Sequence, residues 1–294
     1  MEKTNRPSLT SYLLLFLPPF FWSTNFIVGK ALVDKVSPWT LNAGRFTVSA
    51  LILLPVLLYR REWPPRQALL PLVLMSLTGV FAFNAVLYIG LHYTSAINAT
   101  LVNSTTPVTT ACIAWLLIAE KITRRRIIGI LLSFAGVGWI VSQGSLAILL
   151  RLKFNPGDVI VFFATLLWGF YTVIAKRMMR YLSPLDLTSI TTCIGALFLL
   201  PVAAVELAVN PTDVWRSEVF LAFLYLGIFP SFLSFLLWNR SILTFGPGRA
   251  SLLYNTLPLF AVALSQVFLD ETLMPYQVIG GVATILGVII GTRD

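Results

Sequence analysis

Apolar stretches of roughly 17–25 residues, long enough to cross a bilayer, follow one another along the chain with short polar breaks between them. Ten such spans are predicted. In the first half they run about 11–29, 39–58, 68–90, 96–118 and 125–144. In the second half they run about 157–175, 185–208, 218–238, 249–269 and 275–292. The expected fold class is an all-α integral membrane protein with ten transmembrane helices.

Fixed positions recur between the two halves. Trp22, Lys30, Ser37-Pro38 and Pro55 return as Trp168, Lys176, Ser183-Pro184 and Pro201, each 146 residues later. Pro107, Glu120, Gly129 and Gly136 return as Pro258, Glu271, Gly280 and Gly287, each 151 residues later. The expected domains are therefore two five-helix repeats, residues 1–145 and 146–294. An odd number of spans makes the second repeat enter the membrane from the opposite side. Inverted repeats of this kind mark secondary transporters, with substrate bound near the midplane.

Composition sharpens the membrane reading. Of 294 residues, 57% are hydrophobic and 11% charged, against about 25% charged in soluble domains. The net charge of +9 does not point to nucleic acid, because the basic residues sit in short loops between spans. Fifteen lie on one side and five on the other, with Arg45 inside a span. Positive charge accumulates on the cytoplasmic side, so both termini are expected there. Cys112 and Cys193 lie in apolar segments and read as small packing residues. Lys3 and Arg6 precede the first apolar stretch as in a signal peptide, yet Pro18-Pro19 and the internal copy around Trp168 argue for retention.

The motifs resemble a known family. The first half carries "FFWSTNFIVGK", "SPWTLNAGRF" and "ATLVNSTTPVTTACIAWLLIAEKITRRRIIGILLSFAGVGWI". The second half carries "LLWGFYTVIAK" and "ASLLYNTLPLFAVALSQVFLDETLMPYQVIGGVATILGVIIG". In the late pattern a proline is followed by glutamate and then glycine at matching spacing in both copies. Across essentially the whole chain this resembles the drug/metabolite transporter superfamily, in its EamA-type branch. The resemblance implies a ten-helix carrier, often an exporter of small metabolites, in the cytoplasmic (inner) membrane of a bacterium or archaeon. It also implies a cavity lined by the first four helices of each half.

Polar and aromatic residues at helical spacing outline that cavity. Trp22 and Asn25 share a face of the first span, matched by Trp168 and Tyr171; Asn42 and Arg45 share a face of the second. Asn84 and Tyr88 lie on the third, Asn103 and Pro107 on the fourth, Ser234 and Trp238 on the eighth, and Tyr254 and Pro258 on the ninth. Such residues can equally tie helices together, at about 0.6 kcal/mol per hydrogen bond. Arg45 is the sharpest single candidate. A guanidinium inside a span can hold a carboxylate in two hydrogen bonds or snorkel to the surface. Its mate is Thr191, so this charge breaks the repeat. Glu120 and Glu271 are expected at opposite mouths, as helix-end partners or as gates. The recurring prolines read as kinks. Small residues in the fifth and tenth spans suit close packing, within one chain or across a homodimer.

Chemistry of other kinds finds little to work with. There is no phosphate-binding loop, no zinc-protease histidine pair, and His92 is the lone histidine. No two aspartates fall mid-span. No cofactor is called for, and the reading is not an enzyme. The expected partners are the lipid bilayer and a small-molecule substrate, an amino acid or other amphipathic compound. A passive channel or a membrane sensor stands as the alternative.

Overall fold

A hydrocarbon environment offers the backbone no water, so each span must satisfy its own amides as a helix. The computed structural model describes residues 16–32, 35–94, 96–151, 153, 155–211, 213–269 and 273–293. Its helices are α1 Leu17–Leu32, α2 Pro38–Arg60, α3 Arg66–Met75, α4 Phe83–Tyr93, α5 Ala96–Asn103, α6 Thr106–Ile118, α7 Arg124–Val141 and α8 Leu146–Leu150. They continue as α9 Pro156–Met178, α10 Pro184–Val209, α11 Ser217–Leu226, α12 Ser234–Phe245, α13 Pro247–Ala250, α14 Leu257–Leu269 and α15 Pro275–Thr292. No strand occurs among the described residues. Seven helical stretches are long and apolar enough to span a bilayer: Pro38–Arg60, Arg66–Leu87, Ala99–Ile118, Pro156–Met178, Pro184–Val209, Ser217–Phe245 and Pro275–Thr292.

The outer surface is apolar, and the interior mixes apolar with polar side chains. Leu51, Leu70, Leu116, Leu131, Leu197 and Val205 are exposed, whereas Asn42, Ser49, Thr110, Thr165, Thr188 and Thr192 are buried. A soluble monomer cannot sustain so much exposed apolar surface; a protein in lipid requires it.

Local chemistry sets the starts of α2 and α10 alike. Ser37 and Ser183 cap α2 and α10, each accepting from a backbone amide three residues on, and each is followed by proline at the first helical position. These two helices pack together and are tied at both ends by repeat-related positions. At one end Arg60 pairs with Asp186 at 2.8 Å. At the other, Glu206 accepts from the Thr40 amide at 3.1 Å and from the Ser37 hydroxyl. Arg60 and Glu206 are 146 residues apart, as are Thr40 and Asp186.

The stretches Arg66–Leu87 and Ser217–Phe245 each contain one wide π-helical segment, Ser76–Ala82 and Gly227–Leu233, again 151 residues apart. Pro230 sits in the second of these, where the ladder has already been disturbed. The fourth and ninth spans differ from expectation. Residues 96–118 do not form one kinked helix: the chain turns at Ser104-Thr105 and restarts at Thr106 with Pro107 in the first turn. Residues 249–269 do the same, passing through a 3-10 segment, Ser251–Thr256, before Leu257 and Pro258 open α14. Proline lacks the amide that a continuous helix needs, but fits a first turn, where that amide is unpaired anyway.

Helices α7 and α15 meet within one chain. A methyl group on Gly129 would lie 2.5 Å from the Gly291 Cα and 2.6 Å from the Gly287 carbonyl oxygen. On Gly136 it would lie 2.6 Å from the Gly280 carbonyl oxygen. Backbone against backbone at this distance leaves room only for glycine.

Candidate functional site

The helices converge on a cavity of about 100 Å³ lined by Trp22, Asn25, Arg45, Phe83, Asn84, Leu87, Trp168, Phe235, Tyr254 and Leu257. One water needs roughly 10–15 Å³ measured this way, so the space holds a handful of waters or a compact organic group.

Its wall is aromatic. Trp22 and Trp168, the repeat mates, meet edge to face with ring centres 5.3 Å apart. Trp22 also lies 5.8 Å from Tyr254, and Trp168 lies 5.1 Å from Phe83. The Trp22 indole donates to the Pro230 carbonyl at 3.0 Å, inside the second π segment. The Trp168 indole N–H is buried and makes no hydrogen bond to the described residues. An indole donor left this way costs free energy unless a ligand or water takes it up.

One charge enters this wall. Arg45 is 5% exposed. Its Nε donates to Asn42 Oδ1 at 2.8 Å, Nη1 to Asn25 Oδ1 at 3.1 Å and Nη2 to Asn84 Oδ1 at 3.4 Å. These acceptors come from α1, α2 and α4, so three helices set the plane of the guanidinium. The group also lies 4.7 Å from the centre of the Phe46 ring, a favourable cation–π position.

The corresponding place in the second half is chemically closed. Tyr171, Thr188 and Thr191 stand where the first half has Asn25, Asn42 and Arg45. Asn239 Nδ2 donates to the Tyr171 hydroxyl at 3.0 Å and to Thr188 Oγ1 at 2.9 Å. Thr191 donates back to the Leu187 carbonyl at 2.8 Å. All four residues are fully buried. Two related positions therefore carry a polar group facing space on one side and a self-contained network on the other.

Of the sequence candidates, Trp22, Asn25, Arg45, Asn84, Trp168 and Tyr254 share the cavity wall. Tyr171 stacks under Trp168, with ring centres 5.2 Å apart. Trp238 is buried behind Trp22 and reaches Thr172 Oγ1 at 3.3 Å through its indole nitrogen. Ser234 donates to the Phe229 carbonyl at 2.9 Å. Asn103 lines a neighbouring space of about 50 Å³ that shares Tyr254 and Leu257 with the first. The Tyr88 side chain and Glu271 lie outside the described residues. Glu120 pairs with Arg126 at 2.9 Å, with Arg126 almost fully buried. Both border a basic cleft of about 690 Å³ that Lys176, Arg180 and Arg249 also line. Phe83, Leu87, Phe235 and Leu257 escape the sequence reading, because an apolar residue facing a cavity looks like one facing lipid. Phe235 could have been found, since it is the repeat mate of Asn84.

Fold and site together define a helical membrane protein with an internal, small-molecule-sized cavity. The chain belongs to the EamA-like transporter family, whose sequence profile matches residues 9–142 and again 155–293. It is 31% identical over 289 residues to the uncharacterized transporter YyaM of Bacillus subtilis (strain 168), covering 96% of this chain and 93% of that one. It is 26% identical over 281 residues to the S-adenosylmethionine/S-adenosylhomocysteine transporter of Chlamydia muridarum (strain MoPn / Nigg), covering 89% and 85%. A solved crystal structure superposes with a TM-score of 0.78 at 19% identity, over 97% of this chain and 96% of the other; that likeness speaks for the fold alone. Family and relatives are named for transport, not for catalysis.

Proposed function

We propose that this protein is a secondary carrier for a small amphipathic metabolite bearing a carboxylate, such as an amino acid, moved by alternating access. One observation carries the reading: a buried guanidinium, fixed by three asparagines from three helices, faces an aromatic cavity. A guanidinium offers two parallel N–H groups to a carboxylate, and the tryptophans offer area to an apolar or aromatic body. The chlamydial relatives are named for compounds that join a carboxylate to an aromatic base, which is in keeping with this pairing of groups.

The spans expected at about 11–29, 125–144 and 249–269, where α1, α7, and α13 with α14 lie, complete a set of ten, read as two inverted repeats split near residue 145. The matching starts of α2 and α10, of α3 and α11, and of α7 and α15 support the repeat. The charge asymmetry supports cytoplasmic termini in a cytoplasmic membrane, and the carrier reading places Glu120 and Glu271 at opposite mouths. Rocking of one repeat against the other would open the cavity to each side in turn. The test is a metabolite profile of cells and medium, comparing the wild type, Arg45→Gln at matched membrane level, and cells lacking the protein. A carboxylate-bearing compound that redistributes with the wild type alone is expected. Identical profiles for the wild type and Arg45→Gln would overturn the assignment.

A further inference from the structure

The second, smaller space lies between the two broken helices. Thr100, Asn103 and Ser104 line it from the C-terminal end of α5; Tyr254, Asn255, Leu257 and Pro258 line it from the 3-10 segment and the start of α14. The two breaks are repeat mates, since Asn103 and Ser104 precede Tyr254 and Asn255 by 151 residues.

Three of its polar atoms are acceptors, beside the Tyr254 hydroxyl. Asn255 is 1% exposed; its amide nitrogen is committed to Ser133 Oγ at 2.9 Å, and its Oδ1 is buried with no hydrogen-bond partner. Asn103 Oδ1 is likewise buried and unpartnered. The Ser104 hydroxyl spends its proton on the Leu101 carbonyl at 2.7 Å, so it turns only lone pairs outward. Orphaned buried acceptors are costly, and here they gather around one space of about 50 Å³. A ligand that satisfies them must bring positive charge or several donors. Unwound helix ends and oxygen ligands of this kind hold coupling cations in other carriers.

We infer that the space between the two helix breaks is a binding site for a small cation, either a free alkali ion or the ammonium head of the substrate. Tyr254 and Leu257 form a wall common to this site and to the Arg45 cavity, so a cation here and a carboxylate there would be held side by side. The ammonium alternative rests on the carrier reading; the alkali-ion alternative stands even if no metabolite is moved.

The experiment is thermal unfolding of the purified full chain at constant ionic strength, replacing choline chloride by sodium, potassium or methylammonium chloride. A saturable rise of at least about 2 °C over choline is expected for one of them. A sodium or potassium response identifies a free ion, and a methylammonium response identifies the substrate's head group. Asn103→Leu should abolish the response, and Asn103→Asp, which adds a charge, should shift its midpoint to at least threefold lower concentration. No cation differing from choline, together with an Asn103→Asp protein that behaves as the wild type, would mean that water alone fills the space and would overturn the inference.

Discussion

At the residue scale, the site turns on how Arg45 is held. Three acceptors at 2.8, 3.1 and 3.4 Å fit a planar fork, and a lysine ammonium reproduces neither that plane nor the paired donors. Arg45→Lys is therefore expected to keep the charge but lose most transport, at least tenfold, at an unchanged membrane level. Uptake or efflux of the identified metabolite by cells checks this, and full activity in Arg45→Lys would show that charge alone suffices. Half of this arrangement was legible in the sequence: Asn42 and Arg45 share a helix face at a spacing of three. Their meeting with Asn25 and Asn84 was not, because spacing along one helix says nothing of which faces turn toward each other. The closed partner cluster was hidden for the same reason. Thr188 was visible as a mate, but Asn239, which completes the network, lies on another helix.

At the element scale, two features decide how the helices fit. The first is the contact of α7 and α15, where Gly129 faces the backbone of Gly287 and Gly291. Here the obstacle to a side chain is backbone, which cannot swing aside, so overpacking is expected to cost about 1–3 kcal/mol. Gly129→Ala should lower the unfolding temperature of the purified protein, whereas Gly281→Ala should be tolerated, since a methyl there meets only a Leu259 side-chain carbon at 3.4 Å. Equal behaviour of the two variants would contradict the packing described. The small residues were evident in the sequence; whether they met within one chain was not. The second feature is the pair of breaks before Pro107 and Pro258. Sequence marked both prolines as kinks, since an apolar run continues through them and a mid-helix proline looks the same as a first-turn proline. What separates the two cases is where the ladder restarts: after the turn at Ser104-Thr105 in one half and after the 3-10 segment Ser251–Thr256 in the other, so that each proline falls in a first helical turn.

At the scale of the whole molecule, the regular offset between matching positions stands out. Structural landmarks recur at offsets of 146 and then 151 residues. Of the change of five, three residues lengthen α10 relative to α2 and two lengthen the connection that follows it. The pairing of α2 with α10 shows repeat-related positions working at both ends of one contact, with an ion pair at one and a capped carboxylate at the other. Lipid-facing apolar surface and loop charge were both legible from composition, because they answer to the membrane and not to partner helices. The carrier reading places both termini in the cytoplasm, so a fluorescent reporter that matures only there should be bright when fused after Asp294. Activity instead of a periplasm-dependent phosphatase at that point would reverse the topology.

The central claim is that a carboxylate-bearing metabolite binds at Arg45 and crosses with alternating access. Counterflow in proteoliposomes tests it most directly, with vesicles loaded with the metabolite that cells redistribute and a labelled trace supplied outside. The account predicts transient, saturable accumulation of label above equilibrium by the wild type and its loss in Arg45→Gln. Flux that rises linearly with concentration without overshoot would identify a channel, and overshoot undiminished in Arg45→Gln would remove Arg45 from the site.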